Sequence, residues 1–236
     1  MAKKTNEFRN TLLFFAGAAV GAVVLAGLLA SVTVMMRGTP TASEREPVPV
    51  LYGVPSFELT SQAEQAVRRD DLRGKVWVAN FIFTRCASVC PMVTGRTAEL
   101  QQMLRTHERW SDMRLISFTV DPGHDTPEVL RDYGQRFGAD PEQWLFLTGE
   151  RDYVWQLIEQ GFRLPVEDAP DNPEMPILHS DKFVLVDRDG QIRGYYSALD
   201  QAERAQLLVD LHTVVSEPWS SDGDAGSRAA AGAARR

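Results

Sequence analysis

The feature that most constrains the fold is a nearly continuous apolar and β-prone run at residues 76–83, Val-Trp-Val-Ala-Asn-Phe-Ile-Phe. A strand without a polar face has to be covered on both faces, which is typical of the central strands of α/β sheets. A helical segment follows from Cys90 to about Arg109, and Pro91 falls in its first turn, where a missing N–H is tolerated. The next β-prone run is at 113–120. This order predicts a βαβ unit whose sheet lies in the core.

The rest of the chain continues the alternation of helices and strands. Thr126 or Asp125 is expected to cap a helix that starts at Pro127, and Asp189-Gly190 between two β-prone runs predicts a hairpin. The whole pattern predicts the α/β class, with a thioredoxin-like central sheet flanked by helices, a β-hairpin insertion and one preceding transmembrane helix. The remaining predicted elements are a strand at 145–147, a helix at about 151–159, hairpin strands at 182–187 and 191–197, and a helix at 201–215.

Residues 11–36 form a stretch of 26 residues without a charged side chain. As a helix rising ~1.5 Å per residue, this stretch exceeds the ~30 Å hydrocarbon core of a bilayer. A cleaved signal peptide is the alternative, but its apolar region is only about 7–15 residues long. Lys3, Lys4 and Arg9 precede the stretch, so the positive-inside rule puts the short amino-terminal end in the cytoplasm. We therefore expect a single-pass protein of a bacterial inner membrane whose domain faces the periplasm or an equivalent extracytoplasmic space.

The composition divides the chain into five parts. Residues 1–10 are the predicted cytoplasmic end, 11–36 the transmembrane anchor, 37–47 a polar linker, 48–215 the folded domain and 216–236 a tail. Ser, Gly, Asp and Ala dominate the tail, which has few large apolar residues and is predicted to be disordered. The net charge of -7 and the lack of a basic face argue against nucleic acid as a partner.

The chain has two cysteines, Cys86 and Cys90, with three residues between them. A disulfide between them would close too small a loop to hold distant elements together, so their purpose is local chemistry. They follow the strand predicted at 76–83, at the carboxyl end where α/β sheets keep their sites. The helix amino terminus and Arg85 both stabilise thiolates, so we expect both sulfurs to be more acidic than a free cysteine. A plain disulfide or a pair of buried thiols is the structural alternative.

A third donor is needed, because two thiolates rarely complete a metal site. The chain has four histidines, of which His107 and His212 fall in helical segments and are expected at the surface. His124 lies in a loop that follows a strand and could approach the cysteines, and His179 follows a Pro-rich loop just before the hairpin. Position alone does not distinguish His179 from an ordinary loop histidine. Two thiolates and an imidazole favour copper over hard cations, and zinc would also accept them, although structural zinc normally takes four ligands.

Three segments resemble motifs of the Sco/SenC family of membrane-anchored, thioredoxin-like copper chaperones, and they occur in the family's order. The resemblance covers roughly 50–215 and implies a metallochaperone for assembly of the binuclear copper centre of cytochrome c oxidase subunit II. It also implies copper, as Cu(I) or Cu(II), as the bound ion, and copper donors or thiol reductants as further partners. The three segments are 72–91 (LRGKVWVANFIFTRCASVCP), 117–128 (SFTVDPGHDTPE) and 178–190 (LHSDKFVLVDRDG).

The same resemblance assigns site residues. The family's CxxxCP motif falls on Cys86, Cys90 and Pro91, and its distant histidine ligand falls on His179. The aspartate of its DPxxDTP stretch falls on Asp121, for which the resemblance implies a role in site geometry or partner docking. For Asp121, a loop aspartate that caps backbone N–H groups is the alternative.

The chain departs from the family between its cysteines, and other functions stay open. Ala87 and Ser88 stand where the family often has Pro and Asp, which makes the turn less rigid and removes a negative charge beside the thiols. The main alternative is a membrane-anchored thiol–disulfide oxidoreductase that reduces partner cysteines, which needs Cys86 and Cys90 but not His179. A peroxiredoxin-type peroxidase is a third hypothesis, weakened because that family's proline ahead of the reactive cysteine is absent.

Overall fold

The computed structural model of the chain describes residues 47–172 and 175–219. The compact unit begins at Pro47, so the predicted cytoplasmic end and anchor, with nearly all of the linker, lie outside the described residues. Within the two described ranges, no helix is both long enough and apolar enough to cross a membrane.

A mixed eight-stranded sheet forms the centre of this unit, and a second sheet has two strands. The strands are β1 (Tyr52–Gly53), β2 (Glu58–Ser61), β3 (Ala66–Arg68), β4 (Val76–Ile82), β5 (Met113–Thr119), β6 (Trp144–Thr148), β7 (Val166–Asp168), β8 (Ile177–His179), β9 (Lys182–Val186) and β10 (Gln191–Ser197). In space, the large sheet follows the order β1-β10-β9-β4-β5-β6-β2-β3, while β7 and β8 pair with each other.

Helices flank the sheet, which confirms the predicted α/β class. Leu157–Gly161 forms a π-helical turn, and 3₁₀ turns lie at Arg69–Leu72 and Trp110–Asp112. The α-helices of the described ranges are α1 (Val89–Leu104), α2 (Pro127–Arg136), α3 (Arg151–Gln156) and α4 (Gln201–Ser216).

The nearly continuous apolar and β-prone run is β4, which lies at the centre of the sheet. All seven of its residues are buried, and it pairs in parallel with β5 from Val76 opposite Met113 to Ile82 opposite Thr119. Because parallel strands point the same way, the residues that follow Ile82 and Thr119 emerge at the same edge of the sheet. That edge, called the cysteine edge below, carries the loop with the two cysteines and the loop that starts at Val120.

The neighbour of β4 on its other side is β9, which runs antiparallel to it. Ala79 lies opposite Val184, so the chain just before Lys182 reaches the same sheet edge as the chain just after Ile82. β8 ends there at His179 and is held by antiparallel pairing with β7. A strand that comes late in the sequence therefore brings His179 to the cysteine edge.

The predicted hairpin is present as β9 and β10, and the described chain starts beside its turn. Gly190 has a φ of 76°, a left-handed conformation that glycine adopts without strain, and its N–H donates to Asp187 O at 3.0 Å. At the beginning of the unit, Leu51 N–H donates to Ile192 O and Val54 N–H donates to Gly190 O, each at 2.9 Å. The first residues thus join the sheet at the end opposite to the cysteine edge.

A buried arginine links the start of the described chain to its end. The Arg193 side chain is 4% exposed and pairs with Asp187 at 3.2 Å and with Glu217 at 2.7 Å. It also donates to the carbonyl oxygens of Val48 and Pro49. A buried guanidinium is costly without its partners, so Glu217, just after the end of α4, belongs to the packed unit.

Glu217→Gln is expected to lower the free energy of unfolding by about 1.5–3 kcal/mol, the range for hydrogen bonds to charged groups. The physical reason is that the buried Arg193 would lose the carboxylate that binds two of its nitrogens. Urea unfolding followed by tryptophan fluorescence measures the change, with the exposed Glu108→Gln as the control. A Glu217 variant that unfolds at the wild-type midpoint would contradict this account of Arg193.

Candidate metal centre

Both cysteines lie at the carboxyl end of β4, where the sequence predicted them. Cys86 is in the loop between β4 and α1, Cys90 is the second residue of α1, and both are free thiols. Cys86 is 4% exposed and Cys90 is 0% exposed. The loop stays close to the strand, because Cys86 N–H donates to Phe83 O at 3.4 Å. Cys90 is therefore a core residue, while Cys86 is the thiol closer to solvent.

His179 lies directly beside Cys90, although 89 positions separate them in the chain. Its Nε2 is 3.3 Å from Cys90 Sγ, and its Nδ1 is 3.0 Å from the carbonyl oxygen of Ser180. Since a carbonyl oxygen only accepts, the ring proton is assigned to Nδ1, and the Nε2 lone pair points at the sulfur. The Phe83 ring packs edge-on against the imidazole, with 5.7 Å between ring centroids. The imidazole is thus oriented with Nε2 free to act as a ligand.

Burial controls the ionisation of this pair. Desolvation raises the pKa of Cys90 far above its ordinary value; the neighbouring Cys86 and Asp125 add to the rise, and a hydrogen bond with the Phe83 backbone opposes it. Desolvation also lowers the pKa of His179. At neutral pH the metal-free pair is therefore a neutral thiol that donates to a neutral imidazole.

The prediction that both sulfurs are more acidic than a free cysteine is wrong for Cys90. It relied on the helix amino terminus and on Arg85, but Cys90 is fully buried, and Arg85 is paired with Asp121 at 2.5 Å. Removing a thiolate from water outweighs the favourable dipole at the helix end. A metal ion that replaces the proton would supply the missing charge compensation.

The donors fit a soft metal ion, but the third donor is not yet in place. In the part of the chain that the structure describes, no group of three or more His, Cys, Asp or Glu side chains is arranged to hold a metal ion. Two donors of one ion with bonds of about 2.0–2.3 Å are about 3.5 Å apart, close to the 3.3 Å between Cys90 Sγ and His179 Nε2. Cys86 lies close enough to Cys90 to contribute to its raised pKa. With Cys86 as the third donor, the site would have two thiolates and one imidazole, a donor set that suits copper.

Asp121 is linked to the cysteine loop through Arg85. The Asp121 side chain is 11% exposed and accepts from Arg85 Nε at 2.5 Å. Arg85 immediately precedes Cys86, so this ion pair restrains the loop at the position next to the first cysteine. The carboxylate thus holds a loop side chain, which favours the site-geometry role over the capping alternative.

Asp125 differs from the helix cap that the sequence suggested. Thr126 is the cap of α2, since its hydroxyl accepts from Val129 N–H at 3.3 Å. Asp125 is fully buried and accepts from Thr84 N–H at 3.1 Å and from the hydroxyls of Thr84 and Thr119 at 2.5 Å each. The capping prediction is therefore right for Thr126 and wrong for Asp125. These bonds join the ends of two strands, so the local sequence around the helix start does not reveal them.

Tyr133 of α2 is a further residue that sequence reasoning missed. Its hydroxyl is 2.9 Å from Thr94 Oγ1, which donates to the carbonyl oxygen of Cys90 at 2.9 Å. Burial raises the pKa of Tyr133 to about 12, so it stays a neutral phenol. The signal available in the sequence was Thr94, one helical turn after Cys90 on the same helix face.

The other histidines do not join the cysteines. His124 is exposed in the turn between β5 and α2, and no hydrogen bond of its ring is found among the described residues. His107 and His212 contact each other near the surface, with 3.1 Å between His107 Nε2 and His212 Nδ1. Of the four candidates, the fold brings His179 to the site.

Comparison with known proteins identifies a family and confirms the architecture. The family model described as SCO1/SenC matches residues 50–216. The SCO1 protein homolog of Bacillus subtilis (strain 168) is 30% identical over 164 residues, which is 69% of this chain and 83% of that protein.

Two solved structures share the fold. One is BsSco, described as a member of the Sco family of cytochrome c oxidase assembly proteins with a disulfide switch. It superposes with a TM-score of 0.65 at 28% identity, and the match covers 73% of this chain and 100% of that one. ScoI of Bradyrhizobium japonicum, solved with copper bound, has a TM-score of 0.58 at 25% identity, covering 70% of this chain and 99% of that one. The predicted thioredoxin-like sheet flanked by helices is confirmed by this similarity.

Proposed function

The chain belongs to the SCO1/SenC family, and from that premise we propose that it is a copper chaperone in cytochrome c oxidase assembly, binding one copper ion through Cys86, Cys90 and His179. The copper-bound relative and the relative described as an oxidase assembly protein support this role. The observation that carries the ligand assignment is the 3.3 Å distance between Cys90 Sγ and His179 Nε2. Cys86, which is close enough to contribute to the raised pKa of Cys90, supplies the third donor.

Copper is the cargo of this protein, and the chain's own residues hold it. Before loading, the Cys90 thiol donates to the neutral imidazole of His179. Loading replaces thiol protons with the ion, which compensates the thiolate charges in a site from which water is excluded. His179 does not have to lose a proton when copper binds. The Ser180 carbonyl holds the ring proton on Nδ1, so Nε2 is already unprotonated and available as a ligand.

Release of copper proceeds by ligand exchange with a partner. Two thiolates and one imidazole leave room on copper for an incoming donor, so a partner ligand binds before a resident one leaves. Cys86 is the resident ligand that leaves first, because it lies in a loop and nearer the surface than Cys90. The proposed acceptor is subunit II of cytochrome c oxidase, at its binuclear copper centre, and copper donors or thiol reductants act upstream.

The domain is proposed to work from a membrane anchor. The support is the uncharged stretch at 11–36, the basic residues before it and the polar linker at 37–47. In this arrangement the anchor crosses a bacterial inner membrane once, and the domain at 48–215 faces the periplasm or an equivalent space.

A second function is favoured by the proximity of the two thiols. Cys86 and Cys90 are free, and Cys86 is close enough to contribute to the raised pKa of Cys90, so local adjustment would let them form a disulfide. In that case Cys86, the more exposed thiol, attacks a partner disulfide, and Cys90 resolves the mixed disulfide. The partner leaves as a dithiol, and the chain is left oxidised as a Cys86–Cys90 disulfide. This thiol–disulfide oxidoreductase activity would not need His179.

Anaerobic titration with Cu(I) against a competing chelator tests the copper proposal. We expect one copper per chain, and no specific binding by Cys86→Ser or Cys90→Ser, since a hydroxyl is not a soft ligand. Met92→Leu is the matched control, because Met92 is a sulfur-bearing side chain near Cys90 that is 51% exposed; we expect it to bind like the wild type. A wild-type chain that binds no copper, or a Cys90→Ser chain that binds as tightly as the wild type, would contradict the proposal.

A further inference from the structure

Asp125 is a buried carboxylate behind the cysteine loop that the proposed ligand set does not use. Its side chain is fully buried, and it accepts three hydrogen bonds, from Thr84 N–H and from the hydroxyls of Thr84 and Thr119. Thr119 Oγ1 itself accepts from Asp121 N–H at 3.0 Å, so the Thr119 proton is directed to Asp125. Burial raises the pKa of Asp125, and these three donors oppose that rise by stabilising the ionised carboxylate.

The charge of Asp125 has no cationic hydrogen-bond partner among the described residues. The ion pair at this edge joins Arg85 to Asp121 at 2.5 Å, and the bonds of Asp125 come from neutral donors. The negative charge of Asp121 is therefore compensated by direct contact, while Asp125 interacts with Arg85 only at longer range. This difference separates two aspartates that lie only four positions apart in the same loop.

Asp125 lies close to the cysteine loop. The residue that it binds, Thr84, lies two positions before Cys86, and the charge of Asp125 contributes to raising the pKa of Cys90. Two thiolates give a net charge of about -1 with Cu(I) and about zero with Cu(II), by simple addition of formal charges. A fixed negative charge nearby therefore disfavours the Cu(I) complex relative to the Cu(II) complex, and burial weakens the screening of this effect.

We propose that Asp125 is a positioning residue that holds the cysteine loop through Thr84 and biases the site towards Cu(II) over Cu(I). This inference rests on the proposed function and adds an oxidation-state preference to it. The bias comes from a buried charge without a contacting cation, and the hydrogen bonds with Thr84 keep that charge at a fixed place relative to Cys86.

Asp125→Asn removes the charge and keeps the shape of the side chain. In the full chain in detergent, we expect Cu(II) affinity to fall at least about tenfold while Cu(I) affinity changes less than about threefold. A tenfold change in this ratio corresponds to about 59 mV for a one-electron couple, so the Cu(II)/Cu(I) potential should rise by about 30 mV or more. Competition titrations in each oxidation state and direct measurement of the potential give two independent readouts.

Glu128→Gln is the matched control. It removes one negative charge from the exposed first turn of α2 without changing the cysteine loop, so the ratio of Cu(II) to Cu(I) affinity should stay as in the wild type. A merely structural role for Asp125 predicts that Asp125→Asn weakens both oxidation states alike. That result, or an unchanged ratio, would overturn the inference, while the wild type binding no copper at all would instead overturn the proposed function.

If Asp125→Asn does not fold, Arg85→Gln provides a second test. It removes a positive charge near the sulfurs, so its effect on the copper site should be opposite to that of Asp125→Asn. Arg85 is half exposed, and its removal leaves the charges of Asp121 and Asp125 both uncompensated. We then expect the affinity ratio to shift towards Cu(II) and the potential to fall. A potential that rises or does not move would count against the inference.

Discussion

Replacing His179 with alanine is expected to weaken copper binding by about 100-fold or more while leaving the domain folded. Loss of groups that merely orient a metal ligand costs about 10–100-fold in affinity, and here the ligand itself is removed. The wild-type imidazole already points its lone pair at Cys90 Sγ from 3.3 Å and is held there by Ser180 and Phe83. Its removal leaves two thiolates and an opening to solvent.

His124→Ala is the matched control for this variant, because His124 is an exposed histidine at the neighbouring loop. Cu(I) competition titrations and the visible spectrum of the Cu(II) form measure the change. Stoichiometric, wild-type-like copper binding by His179→Ala with an unchanged spectrum would remove His179 from the ligand set. The same variant also separates the two functions, since reduction of a disulfide substrate should survive it and copper delivery should not.

Copper affinity is expected to rise by at least tenfold for each pH unit from pH 7 to beyond pH 8.5. A metal ion has to displace the Cys90 proton, and each displaced proton gives a tenfold gain per unit of pH. An ordinary thiol loses this dependence near its pKa of about 8.5, but burial raises the pKa of Cys90, so the proton stays on and the dependence continues. Copper affinity therefore falls as the pH falls, because a thiol with a raised pKa keeps its proton more strongly, and that proton competes with the metal ion.

His179 sets the acidic end of the same profile. Burial lowers the pKa of its imidazole, so the ring takes up a proton only in more acidic solution than an ordinary histidine does. We expect an additional loss of affinity there, which His179→Ala should lack. Titrations at pH 6, 7, 8 and 9 with a competitor of known pH dependence measure the profile. An affinity that levels off near pH 8.5 in the wild type would contradict the raised pKa of Cys90.

The sequence was sufficient for the parts of the site that depend on local pattern. The apolar run of β4 predicts a buried central strand, and Pro91 in the first turn of α1 marks the helix that follows it. Together they place Cys86 and Cys90 at a strand end. His179 is different, because its position depends on β9 lying antiparallel beside β4. No local pattern specifies that pairing, so His179 could be singled out only through the family resemblance.

The two incorrect predictions share a physical cause. Rules for helix ends predicted an acidic Cys90 and a capping Asp125, and both residues are instead fully buried. Burial is decided by what packs over a residue, which comes from distant parts of the chain. For Cys90 the desolvation of the thiolate exceeds the effect of the helix dipole. For Asp125 the donors are Thr84 and Thr119, at the ends of two different strands.

The described chain begins beside the β9–β10 turn, at the opposite end of the sheet from the metal centre. The seven residues of β4 between these ends span about 20 Å at ~3.3 Å per residue. If residues 11–36 are anchored, a linker at 37–47 extends to at most about 40 Å, and the length of the domain adds to that radius. In that case the reach of the proposed copper site would be set by the length of the linker and the length of the domain together.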